Sequence, residues 1–183
     1  MKVKDIMMKA AFLLGNADDL KNYLDGIGTN GKKQAELLLQ CFNLVENELA
    51  LDYIPLVKEE KFALENGKLP YSAFSSSVVR ILRVEDENGE NVPFRLFAAY
   101  MEADKKTVIV RYAYTPEEKT IDGESAYLAG VSERLIAFGM AAEYCTALGM
   151  YAEAAIWDKK YKEGIEAART VGTKQKLPSR RWV

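Results

Sequence analysis

Apolar residues recur at spacings of three and four along residues 32–52, where Ala35, Leu38, Phe42, Val45 and Leu49 form one stripe. That period is a helix signal. Leu37, Leu39, Cys41, Leu44 and Leu51 widen the stripe and predict a helix buried on most sides, ended by Pro55. A shorter helix is predicted over 2–14 from Val3, Ile6, Met7, Ala10, Phe12, Leu13 and Leu14, with Gly15 just past its end. Asn16 is placed to cap a second short turn, which Asp18 and Asp19 suit electrostatically and in which Tyr23 and Leu24 are apolar. Near the C-terminus, Val131, Leu135, Phe138, Ala142 and Cys145 mark a helix over 127–147. Met150, Ala154, Trp157, Tyr161, Ile165 and Ala168 mark another over 150–168. Only Gly149 interrupts the two, so an antiparallel hairpin follows, and its many alanines permit close approach.

Between about 54 and 115 the period changes to two. Leu56–Leu64, Val78–Val84, Val92–Tyr100 and Thr107–Tyr114 read as strands, with turns at Asn66-Gly67 and Glu87–Glu90. Val108, Val110 and Tyr112 alternate with Ile109, Arg111 and Ala113, the pattern of a half-buried strand. Ser75–Ser77 reads as loop. The expected fold is α+β: an antiparallel helix bundle over 1–168 with an inserted antiparallel β-meander, followed by an extended arm over 169–183.

Composition narrows the chemistry. The 183 residues carry a formal net charge of -2, and 49% are hydrophobic, enough for a core. No apolar run reaches the roughly 18 residues of a membrane span. The N-terminus lacks the apolar core and cleavage site of a secretory leader, so a cytoplasmic product is expected. Histidine is absent, which removes the usual general base, His-containing metal sites and the Ser-His-Asp triad. Cys41 and Cys145 lie within apolar helical patterns and are expected to be buried, reduced thiols. The glycine-rich stretch Asp25–Gly31 lacks the Gly-Lys-Ser/Thr ending and preceding strand of a phosphate loop, and reads as a turn.

The remaining candidates are surfaces. Glu143, Glu153 and Asp158 are carboxylates on the last two helices, but their spacing reads as solvated or ion-paired faces. The hairpin's Tyr127, Tyr144, Tyr151, Trp157 and Tyr161 read as core and subunit contact. Tyr71 and Phe74 stand in a polar, turn-like stretch, where exposed aromatics suggest contact with a partner. Arg80, Arg83, Arg95 and Arg111 form either a basic sheet face or, the reading preferred here, cross-strand partners for Glu59, Glu60, Glu85, Glu87 and Glu102. The segment 169–183 has no acidic side chain, and Lys174, Lys176, Leu177, Pro178, Arg180, Arg181, Trp182 and Val183 read as a docking arm. Without its five cations the rest of the chain carries about -7.

The order of elements resembles the head–tail connector, or adaptor, proteins of tailed bacteriophages, particularly the tail tubular protein A type of short-tailed phages. The likeness lies in Gln34–Pro55, with Asn43, Glu48 and Asp52-Tyr-Ile-Pro55, in the strands up to Thr115-Pro116, and in Val131–Cys145 with Tyr151–Tyr161. The resemblance implies a virion protein, made in the host cytoplasm, that is structural and neither an enzyme nor a cofactor carrier. It implies a ring of about twelve copies below the portal protein. The C-terminal arm would dock on the portal, and the tail tube or nozzle protein would meet the opposite face, with Tyr71 and Phe74 as tail-side contacts. Double-stranded DNA would pass through without sequence readout. The alternative from the residues alone is a binding module outside any virion, using the basic arm on an acidic protein or nucleic acid.

Overall fold

The structure, a computed structural model, describes residues 1–171. Among the described residues it has an α+β fold with five α-helices and two three-stranded antiparallel sheets. Two compact units divide the chain: Met1–Val45 together with the chain from Lys119 onward, and Glu46–Glu118.

The first unit is helical: α1 (Val3–Leu13), α2 (Ala17–Leu24), α3 (from Lys32, continuing to Glu48), α4 (Glu133–Ala147) and α5 (Tyr151–Val171). Val3, Ile6, Met7, Ala10 and Ala11 form the buried face of α1. Phe12, expected on that face, is instead 77% exposed. Burial of both Ala10 and Ala11 turns the following side chain outward on a helix of 3.6 residues per turn. The α3 stripe of Ala35, Leu38, Phe42, Val45 and Leu49 is buried as the spacing predicts. Leu44 and Leu51 are exposed, however, so this helix is not covered on most sides. The α-helical part ends at Glu48, and Leu49–Tyr53 forms a π-turn closed by Ile54 N–H donating to the Leu49 carbonyl at 2.6 Å. Ile54 precedes Pro55 and is forced toward extended geometry, so the helix widens in its last turn.

Helix α4 begins at Glu133 rather than at 127. Gly130 has φ +80°, and the Ser132 hydroxyl accepts from Leu135 N–H at 3.1 Å as the N-cap. Asn16 occupies the N-cap position of α2 but makes no side-chain cap bond. Gly149, at φ +75°, turns the chain between α4 and α5. Gly139 lets three helices meet: a Cβ there would lie 2.8 Å from Val45 Cγ1 on α3 and 3.0 Å from Tyr161 Cε2 on α5. The glycine-rich turn has a structural use as well, since a Cβ at Gly31 would collide with the Asp19 carbonyl and Tyr23 Cβ of α2.

Backbone and amide bonds close this unit. Val3 N–H donates to the Gly123 carbonyl at 3.0 Å, and Ser125 N–H to the Met1 carbonyl at 2.8 Å. The Asn43 side chain binds Lys119 twice, donating to its carbonyl at 3.1 Å and accepting from its N–H at 2.8 Å.

The second unit contains β1 (Leu56–Ala63), β2 (Lys68–Pro70), β3 (Val78–Glu85), β4 (Phe94–Leu96), β5 (Tyr100–Ala103) and β6 (Thr107–Tyr114). The sheet orders are β1-β6-β3 and β2-β5-β4. A single meander would pair successive strands throughout, and of these strands β4 and β5 alone do so. Strand β6 takes the centre of its sheet, and its buried row Val108, Val110 and Tyr112 packs into the core of this unit with Leu69, Phe74 and Met101. The Asn66-Gly67 turn is tight, with φ +53° and +75°, and is closed by reciprocal bonds between Glu65 and Lys68. The expected strand Val92–Tyr100 is broken at Phe97–Ala99, where β4 turns into β5.

Gly139→Ala is expected to destabilise the protein by about 1–3 kcal/mol, because Val45 and Tyr161 must retreat from the added methyl. Denaturant unfolding checks this, and an unchanged midpoint would contradict the three-helix contact.

Candidate functional site

Helix α5 continues through Val171 and so includes Arg169, expected to lie in the extended segment. A cation there suits the negative end of the helix dipole and favours another turn. Lys174, Lys176, Leu177, Pro178, Arg180, Arg181, Trp182 and Val183 lie outside the described residues.

Tyr71 and Phe74 are placed differently from the sequence reading. Phe74 is only 8% exposed and belongs to the core of the β unit. Its ring centroid lies 4.6 Å from Phe62 and 4.8 Å from Tyr112, the latter edge-on. Tyr71 is partly buried against the same core. Phe74 is therefore unavailable as an exposed tail-side contact. Its polar sequence neighbours hide its burial, because their partners are remote in the chain. The Ser75 hydroxyl donates to Glu60 Oε1, and Ser75 N–H donates to Glu60 Oε2 at 3.2 Å. Tyr112 Oη also donates to Glu60, at 2.6 Å, and Lys58 Nζ donates to Ser76 Oγ at 2.6 Å. This clip holds the serine loop down and Phe74 in place.

Burial pushes the Glu60 carboxyl up, but the bonds from Ser75 and Tyr112, with Lys58 beside them, together hold it below the ordinary carboxylate range. Burial, aided by the Glu60 carboxylate, raises the Tyr112 phenol. The cluster gathers serine, lysine, tyrosine and glutamate around one lowered carboxyl, that of Glu60.

The strand arginines are exposed, and charges of both signs are interleaved with them. Arg111 lies between Glu59 of β1 and Arg83 of β3. Arg83 pairs with Glu85 at 2.6 Å and donates from Nε to Asn91 Oδ1 at 2.9 Å. Lys61 pairs with Glu87 at 2.7 Å, and Arg95 faces Glu102 across β4 and β5. The faces are mixed in charge, but the arginine–glutamate ion pair among these residues, Arg83–Glu85, lies within β3, and among the described residues none joins an arginine to a glutamate on an adjacent strand. Asp86 bonds Asn88 N–H and Glu90 N–H in the β3–β4 turn and meets Lys105 at 3.1 Å. The Lys105 hydrogen bond, reinforced by these amides, lowers its carboxyl pKa.

On the helical hairpin, Phe138 stacks on Trp157 at 5.9 Å, with Arg134 5.1 Å from Phe138 and Lys160 4.5 Å from Trp157. Asp158 pairs with Lys162 at 2.7 Å, and Glu153 is exposed. Among the described residues, no group of three or more Cys, Asp and Glu side chains is arranged to hold a metal ion. Both cysteines are buried and free; burial, with Glu143 nearby, pushes the Cys41 thiol up to about 12. Such a thiol is a poor nucleophile. Among the described residues no helix is long and apolar enough to cross a membrane.

Two exposed apolar surfaces escaped the sequence reading. One is the β4–β5 tip, with Leu96 56% and Phe97 42% exposed. The other is a groove of about 690 Å³ beside α1 and α4, lined by Met8, Phe12, Leu13, Ala17 and Ala137. Compared with protein-family models and with curated proteins, the chain finds no match.

Phe74→Ala is expected to cost about 3–5 kcal/mol, the range for emptying a buried aromatic site, as read by denaturant unfolding. A loss below about 1 kcal/mol would show that Phe74 is dispensable to the core. The Glu60 clip adds a pH dependence. Its folded-state pKa is depressed, so its stabilisation is present above the ordinary glutamate pKa and disappears as pH falls through the lower folded value. The stability gap between the unaltered protein and Glu60→Gln should be largest near neutrality and close in acid. A gap independent of pH would contradict the clip.

Proposed function

We propose that this chain is a structural subunit of a head–tail connector in a tailed bacteriophage, joining the portal to the tail. The observation that carries the reading is the layout: helices α1 to α3, strands spliced in before α4, and an α4–α5 hairpin leading directly into a basic arm. The resemblance noted from the sequence rests on this same order. The absence of histidine from the sequence adds to it by narrowing the catalytic options.

In this reading about twelve copies form a ring, a closed assembly built from repeated contacts between unlike surfaces. Arg180, Arg181 and Trp182, residue types that dominate binding energy at interfaces, anchor the arm on the portal. Pro178 fixes its own φ and favours the extended form an arm needs. The tail tube or nozzle protein meets another face of the ring. Double-stranded DNA passes through the ring, and the net negative charge outside the arm disfavours adhesion to phosphate.

A chain ending at Thr173 should keep its fold, read by circular dichroism and thermal melting, and lose binding to the portal ring in co-sedimentation. Trp182→Ala should weaken that binding by about 2 kcal/mol or more. Portal binding by the shortened chain at full strength would refute the role of the arm.

A further inference from the structure

Asparagine is followed by glycine at three places in the chain: Asn30-Gly31, Asn66-Gly67 and Asn88-Gly89. The pairing carries a chemistry of its own. Once base removes its proton, the glycine amide nitrogen attacks the carbonyl carbon of the asparagine side chain. A cyclic imide forms and ammonia leaves. Water then opens the imide at one carbonyl or the other, giving aspartate or an isoaspartyl linkage, in which the main chain runs through the side-chain carboxyl. The net change is one water taken up and one ammonia released. Glycine presents no Cβ to hinder the approach. In a folded chain the step also requires a glycine N–H open to base and a peptide plane free to swing over the side chain.

Two of the three sites are held against that movement. Gly89 N–H donates to the Asp86 carbonyl at 3.0 Å, and Asp86 Oδ1 accepts from Asn88 N–H and Glu90 N–H on either side of it. Asn66 sits in the left-handed region at φ +53°, in a turn whose ends, Glu65 and Lys68, bond each other reciprocally. The Gly67 carbonyl also accepts from Ala103 N–H at 2.9 Å. Swinging either peptide would break several hydrogen bonds together.

Asn30 stands differently. Every residue from Asp25 to Asn30 is exposed, and Gly26 and Gly28 have open space around them. Among the described residues, neither Asn30 nor the Gly31 N–H makes a hydrogen bond. An N–H with no protein acceptor is left to water, and so to base. A single bond fastens this end of the loop, from Lys32 N–H to the Thr29 carbonyl at 3.1 Å. Gly31 is itself buried, with its Cα wedged against α2: a Cβ there would lie 2.3 Å from the Asp19 carbonyl oxygen and 2.9 Å from Tyr23 Cβ. The chain before Gly31 can therefore swing while Gly31 stays in place.

We propose that Asn30 is a site of spontaneous deamidation and isoaspartate formation, the one Asn-Gly pair of the three at which the fold leaves the reaction open. An isoaspartyl linkage adds a main-chain carbon immediately before Gly31, where packing against Asp19 and Tyr23 leaves no slack. The modification loosens α2, which carries the buried Leu20, and adds a negative charge beside it. The inference concerns the helical unit alone and does not depend on a portal or any other partner.

The test is a time course of the full chain at mildly alkaline pH, folded and in denaturant, read by peptide mapping with mass spectrometry. In the folded protein Asn30 should convert at least about tenfold faster than Asn66 or Asn88. In denaturant the three should convert at similar rates, since each precedes glycine. Isoaspartyl protein, separated by ion exchange, should melt at a lower temperature than Asn30→Asp, which has the same charge on an unaltered main chain. Conversion of Asn66 or Asn88 as fast as Asn30 in the folded chain overturns the proposal. So does an Asn30 that stays intact in the folded chain while the denatured chain reacts. Equal melting of the isoaspartyl protein and Asn30→Asp overturns the loosening of α2.

Discussion

Close packing around Gly139 is the constraint on which the helical unit depends. Val45 from α3 and Tyr161 from α5 approach this one position of α4 so closely that a methyl group would collide with both. Similar economy recurs at Gly164, where an added Cβ would meet Leu135 Cδ1 at 2.7 Å. Close contact maximises dispersion and excludes water, and it fixes the relative height of the helices because each glycine receives particular facing side chains. A close-packed α4–α5 hairpin follows.

The same packing makes room for an insertion. The chain leaves the helical unit after Val45 and returns at Lys119. Asn43 binds both backbone groups of Lys119, so exit and return are tied by a short-range bond rather than by the intervening residues. The β unit has its own core, with Phe74, Met101, Val110 and Tyr112 among its members. Each unit thus carries its own stabilising interactions. In the proposed connector the two units would offer separate contact surfaces.

Legibility in the sequence followed the range of the interactions. The α3 stripe was readable because helix burial repeats every three to four residues, and the Asn66-Gly67 turn because its positive φ values demand those residue types. Strand order was not readable: the placement of β6 between β1 and β3 depends on pairing across dozens of residues. The start of α4 was set too early because Tyr127 and Val131 continue its apolar spacing, while the Gly130 turn and Ser132 cap delay the helix. Phe74 was misread for want of its partners, since Glu60 and Tyr112 hold the loop from elsewhere in the chain. The β4–β5 tip was hidden because Phe97-Ala98-Ala99 contains none of the usual turn residues. The expected cross-strand partners of the arginines did not form: Arg83 pairs with Glu85 on its own strand, Glu87 goes to Lys61, and Glu60 is taken by Ser75 and Tyr112.

The proposed scaffold role would suit a molecule with tight helix packing, a clipped loop, two buried thiols and a basic C-terminal sequence. Its central claim concerns assembly on a portal. The most direct measurement is the native mass of the portal ring from the same source, alone and after mixing with this protein. A discrete complex that has gained about twelve copies is the result the account predicts. A portal mass left unchanged under assembly conditions would contradict it.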